Sequence, residues 1–564
     1  MKTAATHAVM HFGVLCDNRQ LQLWQRTCLE QLQSVSGAVP RVLLIYRSSH
    51  DARVAGLFRY LGKIPPGSPA SLTELPASFA TAPVVELQEQ AGVPGGVQLT
   101  AEAAAAIHSL QLDFVLSFSA ASVHALHAIA YYGVWTFEFG DWQQFRGAPP
   151  GFWEVYRNAK LTSAMLCRVT AERDEVIPLR RGSLRTRQFS YARNRDQLLT
   201  RFTHWPAQVC RDILSGDIQC LQAEAIRGRQ ALNTAPCNKG VLRFVIRMAW
   251  YLVSRGMRPW IEHDHWNIGI IEQPIEDFVH PQRQRKPIKW LPTPAPGEFV
   301  ADPFGVVRDG QLTVFCEHLN YGGDAVGTIA AMQPFVGAAN PLPVKIWPVA
   351  IGPVPRVHLS YPAVLEHEGR LLCIPETQGA LEVALYELER FPDRWVKIST
   401  LIANAAVVDA TVFRHGELWW MAGASDPGGA QLGADLHLWY ATDIMGPWTA
   451  HPSNPVKTDV CSARPAGRPF VSEGVLYRPA QDSSETYGSR VVINRVVTLT
   501  TTTFREEPVA FVAPDTDGPY PDGLHTLSAV GGMTLVDGKR LAFAPAEFRR
   551  VIQRMVTRRL RKLL

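Results

Sequence analysis

The sequence predicts a multidomain protein, an α/β domain with a mostly parallel sheet followed by an all-β five-bladed propeller. Three observations carry this reading. Apolar strand-like runs alternate with helix-like stretches in the N-terminal region of the chain. Past about residue 205 the texture changes, and glycine, proline and short alternating runs come to dominate. In this C-terminal region a single grammar recurs five times at an interval of roughly 50–60 residues, near the size of a four-stranded blade. The 564 residues exceed what a single core holds. The expected division is 1–205 for the α/β domain, 206–258 for a helical connector, 259–545 for the propeller and 546–564 for a basic amphipathic C-terminal helix.

In the first domain HAVMHFGVL reads as a strand. A helical stretch follows through Leu21, Leu23, Trp24, Cys28, Leu29 and Leu32. RVLLIYRS and DFVLSFSA are further strands, and AEAAAAIHSLQL between them is a helix. The segment from Gly62 to Pro83, rich in proline, serine and alanine, is expected to be a loop. Two helices are expected near Ala207–Arg227 and Gly240–Arg255.

The repeats are ADPFGVVRDGQLTVFCE, SYPAVLEHEGRLLCIPE, VDATVFRHGELWWMAGA, SARPAGRPFVSEGVLYRPAQD and HTLSAVGGMTLVDGKRLAF. Each has a polar start, a short apolar strand, a turn and a second apolar strand. The turns are expected at Asp309-Gly310, Glu368-Gly369, His415-Gly416, Glu473-Gly474 and Asp537-Gly538, where glycine supplies positive φ. The first residues of each inner strand then face the central axis, which nominates Asp302, Tyr361, Asp409 and Arg464. Taken singly, an aspartate here is as well explained by capping a turn or bonding backbone amides. Taken as a set at matched positions, the four define a pocket.

Composition limits the chemistry. A net charge of +5 with no lysine tract interleaved with aromatics argues against nucleic acid. Tryptophan is abundant, which suits sugar stacking and, more simply, a large propeller core. The nine cysteines form no CxxC pair, and Glu262, His263 and His265 of WIEHDHW give only a weak metal signal and are better read as turn or core residues, so no metal is expected. Scattered cysteines and an N-terminus without a long apolar region predict a cytoplasmic protein. Two basic amphipathic stretches stand out, Leu242 to Arg258 and Phe548 to Leu564. The first is expected to dock on the protein. The tail suits either docking or an anionic membrane surface, which would place the protein at the inner membrane face.

The spacing of ADPF, YPAV, DATVF and RPAG resembles the family 43 glycoside hydrolase propellers. That resemblance implies Asp302 as general base and Asp409 as modulator of the acid. Where the family carries an acidic Glu this chain has Arg464-Pro465-Ala466, and arginine cannot donate its proton near neutral pH. Glu376 and Asp482 are the candidates to replace it. A more specific resemblance is to the N-terminal propeller of glucosamine inositolphosphorylceramide transferases, through HWNIGII, FVADPFG, SYPAVLEHEGRLLCIPE, VVDATVF, GPWTAHPSNPV, SARPAG, YRPAQDSSETYG and HTLSAVGG. It implies a sugar context. Arg464, Arg478, Gln481, Asp482 and Tyr487 then form a polar group for a carbohydrate or sugar-phosphate ligand, or a structural network between blades.

The stretch from Asp113 to Thr170 resembles folate-dependent formyltransferases, making the first domain Rossmann-like. Arg146-Gly147-Ala148-Pro149-Pro150 matches their substrate loop, and Leu161-Thr162-Ser163-Ala164-Met165 a later strand. The resemblance implies 10-formyltetrahydrofolate as donor. It places Thr136 and Glu138 where the family has Asn and His, and Asp174 at its distant Asp. Glu138 would serve as base if burial between Phe137 and Phe139 raised its pKa. A retained fold with a retasked site is the alternative. Three functions follow: one-carbon transfer to an amine such as an amino sugar, glycan binding with both sites altered, and a glycosidase-like reaction at Asp302 and Asp409.

Overall fold

The computed structural model describes residues 9–47, 56–61, 64–79, 81–90, 96–119, 122–172, 174–228, 232–256, 262–280, 282–321, 326–334, 344–352, 357–425 and 433–543. The chain forms two compact units, Met1–Leu252 and Val253–Leu564.

The first unit is built on β1 (Met10–Cys16), β2 (Ala38–Arg47), β3 (Val84–Glu89), β4 (Phe114–Ser117) and β5 (Val134–Phe139). These five are parallel and lie in the order β3-β2-β1-β4-β5. The order reverses between β1 and β4, as in doubly wound sheets. β6 (Leu161–Val169) and β7 (Glu175–Arg185) extend the sheet antiparallel beyond β5. The central strands are nearly continuous apolar runs because both faces are covered.

Helix α1 (Leu23–Gln33) buries Trp24, Cys28, Leu29 and Leu32 on one face, and Gln22 and Gln25 cap its start reciprocally. Helix α2 (Ala101–Ser109) begins at Thr100, whose hydroxyl accepts the amide of Ala103. Helices α3 (Tyr191–Arg201), α4 (Trp205–Leu214) and α5 (Asn238–Gly256) complete the unit's main helices.

Two expectations need correction here. The Gly62–Pro83 segment is not wholly a loop. Its Leu72–Glu74 pairs antiparallel with Gln20–Gln22, and Ala77–Phe79 forms a turn of 3-10 helix. The helix expected to run to Arg227 stops at Leu214, where Gly216 takes φ +87° and turns the chain. Ile226–Arg227 then joins the edge of the sheet beside β7.

Among the described residues the second unit has five sheets of four or five strands, one per blade. The inner hairpins of blades one to three are Glu298–Arg308 with Gln311–Asn320, Ser360–His367 with Arg370–Glu376, and Val407–His415 with Leu418–Ser425. Blade four pairs Phe470–Ser472 with Val475–Asp482, and Arg464 and Ala466 continue its inner edge by backbone bonds to Gln481 and Pro479. Blade five is composite. Leu527–Val530 and Met533–Phe543 come from the end of the unit, and Glu262–Ile271 from its start pairs antiparallel with Met533–Phe543. That pairing closes the ring. Apolar clusters such as Leu372, Ile374, Leu385, Val412 and Met421 pack one blade on the next, and Trp395, Trp419, Trp420 and Trp439 are buried among them.

The tight turns fall where glycine predicts them in four blades, with Gly310, Gly369, Gly416 and Gly474 all at positive φ. The fifth differs. Its hairpin turns at Gly531-Gly532, with Gly531 at φ +56°. Asp537 therefore sits inside the Met533–Phe543 strand opposite Ile268, fully buried. The amphipathic tail at 546–564 lies outside the described residues.

Candidate functional site

The inner strands of blades one to three share a local irregularity. Their ladders break between Ala301 and Phe304, Ser360 and Ala363, and Val408 and Thr411. The residues in the breaks, Asp302, Tyr361 and Asp409, have φ of +54°, +45° and +53°. Three non-glycine residues in this sparsely populated region, at one repeat position, mark bulges that re-aim the side chains they carry. The bulge amides are capped across blades. Asp302 donates its N–H to Asp537 Oδ2 at 3.1 Å, and Asp409 donates to Glu376 Oε2 at 3.3 Å.

Asp409 accepts Arg464 Nε at 2.5 Å and Nη2 at 3.2 Å, and Gln481 Nε2 at 2.9 Å. Arg464 also lies 5.3 Å over the ring of Tyr487. Asp302 Oδ1 accepts the Thr526 hydroxyl at 3.0 Å and stands 3.4 Å from His525 Nε2. His525 Nδ1 is 2.6 Å from Asp537 Oδ2, and its ring stacks on Trp266 at 4.1 Å. Tyr487 meets His525 edge-on at 5.4 Å and is itself about one third exposed.

Burial pushes the Asp302 carboxyl up to about 7, with His525 opposing and Asp409 and Glu317 adding to the rise. Burial also holds Glu376 well above the usual carboxylate range, reinforced by Asp409 and opposed by Arg464. For His525 burial works against the charge, but Asp537 and Asp302 outweigh it and raise the imidazole to about 9. Burial raises the Tyr487 phenol well above its ordinary value, Arg464 opposes this, and the charges of Asp302, Asp409 and Glu317 add to it. Side chains from all five blades thus interact around one locus.

Asp302, Asp409, Arg464, Glu376, Gln481 and Tyr487 come together there. Tyr361 does not offer its hydroxyl to a ligand. It is fully buried, accepts the Gly467 amide at 2.7 Å and bonds Thr411 Oγ1 at 2.9 Å, so it ties blade two to blades three and four. Arg478 is also structural. Its guanidinium bonds both carboxylate oxygens of buried Glu506 and the carbonyls of Ser462 and Ala463. Asp482 pairs with Arg490 at 2.7 Å and accepts the Ser484 amide at 2.9 Å, so it is no spare acid.

Several members escaped the sequence reading. Glu317 occupies the ladder position of Glu376, opposite Ala301 as Glu376 is opposite Ser360, and pairs with His358 at 3.2 Å. The matching final Glu of VFCE and CIPE was the available signal. His525 opens the fifth repeat, where the same rule that selected Asp302 selects it. Asp537 was hidden by its resemblance to a turn.

Asp302, His525 and Asp537 could crowd a cation. Asp537 already accepts the amides of Asp302, His525 and Thr526 and stands 2.6 Å from His525 Nδ1.

In the first unit β5 carries Thr136 and Glu138 on one face, while Phe137 and Phe139 pack against Trp24 on the other. The phenyl groups therefore do not enclose Glu138, as the sequence suggested. Its neighbours are Arg146 and Cys167. The half-buried carboxyl is nonetheless pushed by burial up to about 7, against the pull of Arg146. Arg146 is buried, lies 4.1 Å over the Trp142 ring and pairs with the largely exposed Asp174 at 3.0 Å. Thr136 is half-buried beside Ser117 of β4.

Comparison with known proteins bears on the second unit. Residues 291–518 match the family described as glucosamine inositolphosphorylceramide transferase 1, N-terminal. The chain is 36% identical over 220 residues to glucosamine inositolphosphorylceramide transferase 1 of Oryza sativa subsp. japonica, and 32% over 221 residues to that of Arabidopsis thaliana. These alignments take in 38% of this chain and 28% of each relative, so the chain spans little more than a quarter of the length of the curated relatives it matches. Among solved structures, a family 117 glycoside hydrolase of Zobellia galactanivorans superposes with a TM-score of 0.31 at 12% identity, covering 43% of this chain and 84% of that one. A GH43_1 enzyme from Xanthomonas citri gives 0.31 at 14% identity, covering 43% and 90%. The five-bladed architecture itself is read from the strand pairing.

Proposed function

We propose that the propeller holds a neutral or amino sugar at its axis and that the protein is a transferase of glycan or glycolipid metabolism. One observation carries the choice of ligand. Among the described residues, the basic side chains grouped with Asp302 and Asp409 are matched by carboxylates: Arg464 faces Asp409, His525 faces Asp537 and His358 faces Glu317. No guanidinium of this set is left to a phosphate, so a sugar-phosphate is the poorer fit. Asp302 and Glu376, both carrying raised pKa values, remain to exchange hydrogen bonds with hydroxyls or an amine, and Tyr487 offers a ring face. The match of residues 291–518 supports a glycolipid setting.

Calorimetric titration of the whole protein with glucosamine, N-acetylglucosamine and their 1-phosphates tests this. The proposal expects binding of the free sugars, weakened at least tenfold by Tyr487→Ala. Tighter binding of the phosphates, or no saccharide binding at all, would overturn it.

A second reading is favoured by Glu138, whose pKa near 7 suits a general base at neutral pH. In this reading the first unit moves a one-carbon group to an amine, and 10-formyltetrahydrofolate would supply the activated formyl group. Glu138 takes the proton from the acceptor amine. Thr136, on the same face of β5, donates a hydrogen bond, and Arg146 orients Asp174. Formylation of an amino sugar by the wild-type protein, lost in Glu138→Gln, would support it. Absence of folate binding would dismiss it without touching the propeller proposal.

A further inference from the structure

Helix α5 has two apolar faces. Val241 and Phe244 are buried against Phe58, Phe152, Val155 and Tyr191, with Met248 partly covered. Phe244 packs 5.0 Å from Phe152, and Tyr251 lies 5.1 Å from Phe189. This half of the helix docks as the sequence suggested. The other half does not. Leu242 is 56% exposed, Val245 48%, Ile246 61% and Trp250 72%. With exposed Ala249 they occupy an arc of about 140° at the 100° spacing of an α-helix. A solvated helix face is ordinarily polar, so an apolar stripe of this breadth points to something that covers it.

The charges say what. Arg243 and Arg247 are exposed along one edge of the stripe, and Lys239 is exposed at its N-terminal end. The 19-residue sequence NKGVLRFVIRMAWYLVSRG contains no aspartate or glutamate. An apolar face with tryptophan, edged by basic residues and free of acids, is complementary to the headgroup region of an anionic bilayer. The described helices include none long and apolar enough to cross a membrane, which leaves a helix lying in the interface.

We infer that α5 is an interfacial membrane-binding element that seats the first unit on anionic lipid through Leu242, Val245, Ile246 and Trp250. The inference stands apart from the sugar-binding proposal, and either can fail alone.

Flotation of the full-length protein with vesicles tests it, using phosphatidylcholine alone and phosphatidylcholine mixed with phosphatidylglycerol. The wild type should float with the mixed vesicles, much less with the neutral ones, and less as salt rises. The double variant Ile246→Glu, Trp250→Glu changes only exposed side chains, so its melting temperature should hold while flotation falls at least tenfold. A chain ending at Phe543 should still float, which separates α5 from the basic tail. Equal flotation with neutral vesicles, or loss of flotation on tail removal alone, overturns the inference. So does a wild-type dimer in light scattering that the double variant abolishes, since the face would then join two copies of the chain.

Discussion

His525 is held between two carboxylates, with Nδ1 2.6 Å from Asp537 and Nε2 3.4 Å from Asp302. The imidazole rises from 6.5 to about 9, so the folded state binds its proton more tightly than the unfolded chain does. The stability this gives is complete below the unfolded value and is lost as pH rises through about 9. Asp302, raised from 3.8 to about 7, acts in the same direction at lower pH. The melting temperature of the second unit should therefore fall by several degrees between neutral pH and about 9, and His525→Gln should flatten that slope. A wild-type melting temperature constant across the window would contradict the arrangement.

Arg464, partly exposed, pairs with the buried Asp409. Arg464→Met leaves the Asp409 carboxylate without its cation and should cost about 3–5 kcal/mol in denaturant unfolding. Adding Asp409→Asn should restore much of that loss. A double variant whose cost equals the sum of the two single-variant costs would mean the pair is not coupled.

Tyr361 should behave as a bolt between blades and not as a ligand contact. Tyr361→Phe leaves the Gly467 amide unanswered and should destabilise by about 1–3 kcal/mol with sugar affinity unchanged. A selective loss of affinity would return it to the binding surface.

If Glu138 is a base, the rate of amine formylation should rise with pH as its carboxyl deprotonates near 7. Glu138→Gln should remove both the activity and that titration. A pH profile unaltered in Glu138→Gln would exclude the role.

The blade count was legible because each blade repeats one local signal, an apolar hairpin with glycine in the turn. The strand order of the first unit was not, since alternation of strands and helices says nothing of which strands become neighbours. Asp302 and Asp409 were legible as polar residues opening inner strands. Their partners were less so. Asp537 reaches Asp302 across 235 residues of sequence, and no local pattern encodes such a contact. Its Asp-Gly dipeptide gave a false turn because the preceding Gly531-Gly532 already reverses the chain. Arg478 read as a ligand group because charge is visible in sequence while the buried Glu506 that answers it is not.

The seam of blade five has a consequence for biosynthesis. Glu262–Ile271 leaves the ribosome before every other strand of the ring, yet its partner Met533–Phe543 is among the last to emerge. Until then one side of the early strand is an open edge with unanswered amides and carbonyls. Nascent chains stalled or truncated before Met533 should accordingly be the aggregation-prone species, and a helper that shields strand edges would matter most in that interval.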